Sequence, residues 1–134
     1  MAELLVHCFD FDGYAEHELS LYYEPQPDVR KLCTKRPGDL RLADRALRWR
    51  DNLWVVCMLR DPRDIIVSRH KKRPDAFWSN LDIVNRRMPW FYLARSHERF
   101  ITVRYEDLVA DPDTVQEQLL SKMRFLGKIY DFSR

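Results

Sequence analysis

Apolar and amphipathic stretches alternate along this chain, and their spacing predicts the elements of a mixed fold. Leu53–Leu59, with the sequence LWVVCML, is apolar at successive positions, which is typical of a parallel strand covered by helices on both faces. Phe100–Tyr105, with the sequence FITVRY, is rich in β-branched and aromatic residues and predicts a second strand. Val29–Thr34 predicts a shorter strand, and Glu3–Phe9 fits either a strand or a short helix.

Four helices are predicted, each beginning at an aspartate that can accept hydrogen bonds from the first free N–H groups of the helix. The four capping residues are Asp39, Asp61, Asp75 and Asp111. Apolar residues at three-to-four spacing follow three of them, and these stripes are Leu40, Ala43 and Leu47; Phe77, Leu81, Val84 and Met88; and Val115, Leu119, Met123 and Leu126.

Prolines and a glycine mark the expected ends of these helices. Pro62 and Pro112 each follow a capping aspartate at the first helical position, where the missing N–H has no cost. Pro74 is expected to end the helix that begins after Asp61, and Pro89 to kink the third helix. Gly127 is expected to close the last one.

Strands that alternate with helices in this order predict an α/β fold, with a mainly parallel sheet flanked by helices and joined by right-handed crossovers. A chain of 134 residues fits one such domain. We therefore expect a single domain over residues 1–134.

Composition narrows the class of protein. Hydrophobic residues make up 46% of the chain and charged residues 33%, which excludes an intrinsically disordered protein. The longest uncharged apolar run, Leu53–Leu59, is much shorter than the ~20 residues of a membrane span, and the acidic start lacks the pattern of a signal peptide. We expect a cytoplasmic protein with no membrane partner. A net charge of +2 does not indicate a nucleic-acid partner.

The cysteines and histidines do not indicate a metal site. Cys8, Cys33 and Cys57 are odd in number and far apart, and two of them lie in apolar segments. We interpret them as buried thiols in a reducing compartment rather than as disulfides or metal ligands. The four histidines have no ligand spacing, so no metal is expected.

A dense group of charges follows the strand Leu53–Leu59. Arg60 stands at the expected carboxyl end of that strand, where parallel sheets bind ligands, and its guanidinium suits phosphate or sulfate oxygens. Asp61 and Asp64 cap the next helix, which turns their carboxylates away from an anion. Ser68 would return to nearly the same helical face roughly 10 Å further along, so that Arg60 and Ser68 flank one anion. The alternative is that Arg60 pairs with Asp64 and Ser68 has no special role.

Two neighbouring features also fit a nucleotide. Tyr105 ends the strand Phe100–Tyr105 near the same sheet edge, where an adenine ring could stack on it. Alternatively, Tyr105 packs against the helix beginning at Pro112, and Glu106 or Asp107 pairs with a nearby arginine. The basic run 69–73 (RHKKR) is interpreted as a solvated face, with binding of phosphate or an acidic partner as the alternative.

These segments resemble a known family. MLRDPRDIIVSRH, followed by RYEDLVADP and then FLG, is similar to the sulfotransferases that use 3′-phosphoadenosine-5′-phosphosulfate (PAPS). The resemblance implies a P-loop-NTPase-like α/β fold. It assigns Arg60 and Ser68, eight residues apart as in the family, to the 3′-phosphate of PAPS, and Tyr105 to the adenine side of the pocket.

A segment further upstream adds a candidate catalytic residue. CTKRPGD resembles the family's Lys-x-Pro or Lys-x-His segment, which makes Lys35 the residue that stabilises the transferring sulfuryl group. A fixed cation there lowers the barrier because negative charge builds on the departing phosphate. The alternative is that Lys35 is a solvent-exposed lysine in a turn.

Some features of the family are not found in these 134 residues. They contain neither an N-terminal Pro-Lys-Ser-Gly-Thr-Thr type phosphate loop nor the later Gly-rich loop, so we expect a domain truncated at one or both ends. Pro37 stands where some members place a histidine base. Other candidates for a general base lie upstream, and nothing in the sequence selects among them: His7, Glu16, His17, Glu18 and Glu24.

The expected function is transfer of a sulfuryl group from PAPS, without a metal, to a hydroxyl or amine of a small-molecule or glycan acceptor. The alternative is a non-catalytic remnant that binds a nucleotide or a partner protein through the same basic residues. A P-loop kinase-like phosphotransferase is disfavoured because no Gly-x-x-x-x-Gly-Lys-Ser/Thr segment occurs.

Overall fold

Helices and short strands alternate along the chain in a computed structural model that describes residues 1–15, 17–70, 73–77 and 79–134. The helices are α1 (Ala2–Cys8), α2 (Ala43–Trp49), α3 (Pro62–Val67), α4 (Leu81–Ala94), α5 (Tyr105–Ala110) and α6 (Pro112–Lys122), with a 3₁₀ helix at Pro37–Leu42. The strands are β1 (Gly13–Tyr14), β2 (Leu32–Cys33), β3 (Val55–Leu59), β4 (Arg69–His70), β5 (Arg73–Phe77) and β6 (Phe100–Arg104).

Two of the three strand pairs are parallel. β3 pairs with β6 from Val55↔Phe100 to Leu59↔Arg104, and β1 pairs with β2. β4 and β5 form an antiparallel pair. The predicted α/β fold with a mainly parallel sheet is confirmed. In the ranges that the structure describes, β3 has β6 as its single neighbour rather than a strand on each side.

Both faces of the β3–β6 pair are covered, as the unbroken apolar sequence of β3 predicts. On one face, Ile101 and Val103 of β6 pack with α1 and α6. On the other face, Phe100 packs against α2 and α4, together with Val55 and Cys57 of β3. The pair is therefore the middle layer between helices, and its strand ends open only at the edges.

Two of the four predicted helix caps are confirmed. Asp61 accepts a hydrogen bond from the Arg63 N–H at 2.8 Å, and Asp111 accepts one from the Thr114 N–H at 3.1 Å. Each is followed by a proline at the first helical position. This local pairing of aspartate and proline specifies the helix start without help from the rest of the fold.

The other two predicted caps are wrong. Asp39 lies inside the 3₁₀ helix that begins at Pro37, and its buried carboxylate accepts a hydrogen bond from the Leu21 N–H at 3.0 Å. Asp75 lies in β5, and the next helix is capped instead by Asn80, which accepts from the Ile83 N–H at 2.9 Å. The hydrogen bond to Leu21 and the pairing of β5 with β4 thus outweigh the capping preference of these two aspartates.

Two predicted helix ends are also wrong. α3 ends at Val67 rather than near Pro74, and Ser68 is extended with ψ at 124°. The β-branched run from Ile65 to Val67 has a low helix propensity, and β4 pairs with β5 just beyond it. α6 ends at Lys122, and the Gly127 N–H donates to the Asp10 carboxylate at 2.6 Å instead of closing the helix.

The last helix anchors the C-terminal segment through its buried face. All four residues of the predicted stripe are buried: Val115, Leu119, Met123 and Leu126. Val115 and Leu119 lie on α6, whereas Met123 and Leu126 follow its end at Lys122, so the burial is confirmed and the single helical face is not. Gln116, also fully buried, donates to the Tyr130 carbonyl at 2.7 Å and accepts from the Phe132 N–H at 3.2 Å. One side chain thus satisfies two backbone groups of the segment that follows the helix.

The described residues contain no helix long and apolar enough to cross a membrane. They also contain no group of three or more His, Cys, Asp or Glu side chains placed to hold a metal ion. The three cysteines are free thiols, as predicted, and burial raises the pKa of Cys33 to about 11.

Replacement of Gln116 tests this anchoring. We expect Gln116→Leu to lower the free energy of unfolding by about 1–3 kcal/mol for each of the two backbone groups left without a partner. Gln118→Leu, at an exposed position of the same helix, is the control and should stay within about 0.5 kcal/mol of wild type. Urea denaturation measures both. Equal losses in the two variants would contradict the anchoring role.

Candidate functional site

The register of the parallel pair brings Arg60 and Tyr105 together. Leu59 and Arg104 are the last paired residues of β3 and β6, and the next residue of each strand is Arg60 and Tyr105. The Arg60 guanidinium lies over the Tyr105 ring, with its carbon 4.8 Å from the ring centroid. This cation–π contact holds the arginine at the carboxyl edge of the sheet.

Glu106 links the two strand ends. Its carboxylate accepts a hydrogen bond from the Asp61 N–H at 2.9 Å, 45 residues away in sequence, and lies 3.8 Å from the Arg104 guanidinium. The hydrogen bond from Asp61, more than the charge of Arg104, lowers the pKa of Glu106. The predicted pairing of Glu106 or Asp107 with a nearby arginine is thus present as Glu106 with Arg104. The stronger bond of Glu106 is to the Asp61 N–H at the start of α3.

The Asp61 carboxylate is directed onto its own helix. Besides the bond from the Arg63 N–H, it accepts three side-chain bonds from Arg63, the shortest at 2.6 Å. The side chain of Arg63 is the main cause that lowers the pKa of Asp61 to about 2. As the sequence predicts, capping turns this negative charge away from Arg60.

Arg60 keeps hydrogen-bonding capacity. Its Nε lies 3.8 Å from the Asp64 carboxylate, so the predicted alternative, an ion pair between Arg60 and Asp64, is present, although the distance is too long for a hydrogen bond. The Nε atom is buried and has no hydrogen-bond acceptor in the described part of the chain. A buried donor without an acceptor is unfavourable, and an anion at this edge would satisfy it.

Ser68 does not occupy the helical position that the sequence predicts. Because α3 ends at Val67, Ser68 does not lie on a helical face shared with the Asp61 cap. Its N–H donates to the Ile65 carbonyl at 3.3 Å. No hydrogen bond joins its hydroxyl to Arg60 within the described ranges. In the basic run that follows, Arg69 lies over the Phe77 ring at 4.8 Å, and residues 71 and 72 lie outside the described residues.

Lys35 follows β2 and has a carboxylate partner. Its Nζ lies 2.8 Å from the Glu3 carboxylate of α1. The hydrogen bond between them raises the pKa of Lys35 and lowers that of Glu3. Across the described residues, no hydrogen bond or ion pair joins Lys35 to Arg60 or Tyr105. The structure therefore brings Arg60 and Tyr105 into contact and leaves Lys35 as a separate, half-exposed cation.

Among the candidates for a general base, His7 stacks on the Tyr130 ring at 5.2 Å, and Glu16 lies outside the described residues. Glu106 was expected to pair only with an arginine, and its bond to Asp61 was missed. The available signal was its place directly after a strand that is parallel to the one before Asp61. That signal depends on knowing which strands are neighbours.

Comparison with known proteins agrees with the motif resemblance. A family model described as "Sulfotransferase family" matches residues 7–126, which is most of the chain. No curated protein and no solved structure matches it significantly. The matched range includes every element from β1 to α6, so it covers both strand ends of the site.

The titration of Asp61 tests the charge arrangement. We expect its carboxylate to titrate at about 2 instead of its ordinary 3.8. Because the pKa in the folded state is lower, its contribution to stability is complete above pH 3.8 and lost as the pH falls toward 2. Carbon-detected NMR measures the midpoint. Arg63→Met should raise it strongly, and Arg104→Met, the control, only slightly; an ordinary midpoint in wild type would contradict this arrangement.

Proposed function

The chain belongs to the sulfotransferase family, and we propose that Arg60, Ser68 and Tyr105 bind the nucleotide part of PAPS for transfer of its sulfuryl group to a hydroxyl or amine acceptor. The acceptor is a small molecule or a glycan. The observation that carries the proposal is the Arg60 guanidinium, held over Tyr105 at the carboxyl edge of a parallel pair.

The residues at this edge suit a 3′-phosphoadenosine group. The buried Nε–H of Arg60 lacks an acceptor among the described residues, and phosphate oxygens are strong acceptors for a guanidinium. Among the carboxylates at this edge, Asp61 is bonded to Arg63 and Glu106 to the Asp61 N–H. The exposed Asp64 carboxylate, 3.8 Å from the Arg60 Nε, would be exchanged for the phosphate. Tyr105 is 37% exposed and offers an aromatic surface to adenine. The Ser68 hydroxyl would supply a second donor to the phosphate.

Lys35 is proposed to act on the transferring group. When bound, PAPS supplies an electrophilic sulfuryl group, and a fixed ammonium stabilises the negative charge that develops on the leaving side. The hydrogen bond to Glu3 raises the pKa of Lys35, which favours the charged ammonium that this role needs. Because this ion pair is exposed and screened by water, Lys35 can exchange the carboxylate for another anion at little cost.

One observation favours a second candidate function, nucleotide binding without transfer. Lys35 is already paired with Glu3, and in the described residues no bond connects it to the site at Arg60. A protein that only binds the nucleotide would need Arg60 and Tyr105 but not Lys35. The two functions therefore differ in what loss of Lys35 does.

Binding of adenosine 3′,5′-bisphosphate tests the nucleotide site. We expect saturable binding by isothermal titration calorimetry, weakened about tenfold to a hundredfold by Arg60→Ala because a charged hydrogen bond to phosphate is lost. Arg124→Ala removes the same charge at an exposed position after α6 and should change the affinity less than about twofold. Absence of binding to wild type, or equal losses in the two variants, would overturn the proposal.

Transfer of radiolabelled sulfate from PAPS to a panel of hydroxyl and amine acceptors tests the catalytic role. We expect Lys35→Met to lower kcat by about 10²–10³-fold, while the bisphosphate affinity stays within about twofold. Lys128→Met, which removes another half-exposed, ion-paired lysine, is the control and should keep wild-type activity. Bisphosphate binding without transfer to any acceptor would favour the non-catalytic function.

A further inference from the structure

A cleft lies between the 3₁₀ helix and α4. It has a volume of about 300 Å³, enough for one ring-sized group. Three arginines, one tryptophan and two aliphatic residues line it: Leu40, Arg41, Ile83, Arg86, Arg87 and Trp90. Arg41 projects from the 3₁₀ helix, and the other arginines are three and four residues before Trp90 on α4, which places them beside its ring. Positive charge therefore faces the cleft from both walls.

The arginines of this cleft differ from several others in the described part of the chain, which pair with carboxylates, as Arg48 does with Asp44 at 3.0 Å and Arg63 with Asp61 at 2.6 Å. No carboxylate lines the cleft, and none pairs with its three arginines in the described ranges. Arg86 bonds only the Asp82 carbonyl, at 3.3 Å. Three exposed guanidinium groups in one concave surface are thus available to an anion.

The cleft lies close to the proposed transfer site. Gly38 lines it and follows Lys35 by three residues, so the two backbones are within about 11 Å of each other. Helix α4, which forms the opposite wall, also packs against α3, the helix that begins after Arg60. One wall of the cleft thus follows Lys35 closely in sequence, and the other packs against the helix that begins after Arg60.

We propose that this cleft binds the acceptor, and that the acceptor carries a carboxylate on a six-membered ring. The carboxylate is held by the arginine forks, and the ring lies on Trp90 with Leu40 and Ile83 beneath it. This inference rests on the proposed sulfotransferase function and adds the substrate class to it. A ring carboxylate can be a uronic acid or an aromatic acid, and the two sources share the chemistry that the cleft recognises.

Binding of two matched pairs of small molecules tests the inference. Methyl β-glucuronide is compared with methyl β-glucoside, and 4-hydroxybenzoate with the neutral 4-hydroxybenzamide. Calorimetry and the shift of the Trp90 indole N–H signal measure affinity. We expect at least one of the two carboxylates to bind about tenfold or more tightly than its neutral partner. The pair that shows the difference identifies the source of the ring.

Substitutions of the cleft arginines test whether the carboxylate binds in this cleft. Arg41→Met and Arg87→Met should each weaken the carboxylate about tenfold and leave the neutral partner unchanged. Arg45→Met is the control, because Arg45 is an exposed arginine that lies over Trp49, 5.9 Å from its ring centroid, outside the cleft. Equal binding of charged and neutral partners, no binding of either carboxylate, or an equal loss in Arg45→Met would overturn the inference.

Together, these measurements distinguish a failure of the acceptor cleft from a failure of the proposed nucleotide site. Loss of carboxylate binding with intact binding of adenosine 3′,5′-bisphosphate would overturn the acceptor cleft alone. Carboxylate binding without bisphosphate binding would overturn the proposed nucleotide site. The cleft would then remain a carboxylate-binding site without a role as acceptor site. Transfer of the sulfuryl group from PAPS to a hydroxyl of the bound, carboxylate-bearing acceptor, reduced in Arg87→Met through KM rather than kcat, would support both.

Discussion

β3 and β6 run parallel over five paired positions and end together at Leu59 and Arg104, so the residues that follow them meet at one edge of the sheet. Every contact of the nucleotide site depends on this register. A shift by one residue would turn the β6 side chains to the other face and separate Arg60 from Tyr105. The helices on both faces hold the register, since Ile101 and Val103 pack on one side and Phe100 on the other.

Hydrogen bonds hold two of the carboxylates near Arg60 at the carboxyl edge of the sheet. This edge carries several carboxylates, and their number alone would predict little attraction for an anion. Asp61 is used by Arg63 and its own helix, and Glu106 by the Asp61 N–H. Hydrogen bonds therefore set the local field, and Arg60 keeps a buried donor that the described residues do not satisfy.

The 3₁₀ helix and α4 form the proposed acceptor cleft and pack near the proposed nucleotide site. The 3₁₀ helix begins two residues after Lys35, and α4 packs against it, against α2 and against α3. One helix thus connects the proposed acceptor cleft with the strand end that carries Arg60. The Lys35–Glu3 pair lies beside the other hydrophobic cluster, on the β1–β2 side, so the proposed transfer would require the lysine to exchange its carboxylate for the reacting group.

The sequence by itself determined what depends on neighbouring residues. It specified the apolar strand before Arg60, the caps at Asp61 and Asp111, the burial of the stripe that begins on α6 and the family motifs, because each is encoded within about a dozen positions. Tertiary structure decided the fate of Asp39, the early end of α3, the bond between Glu106 and Asp61, and the cleft that joins Arg41 to Arg87. Those outcomes join residues far apart in sequence, and such contacts follow from which elements pack together rather than from local preference.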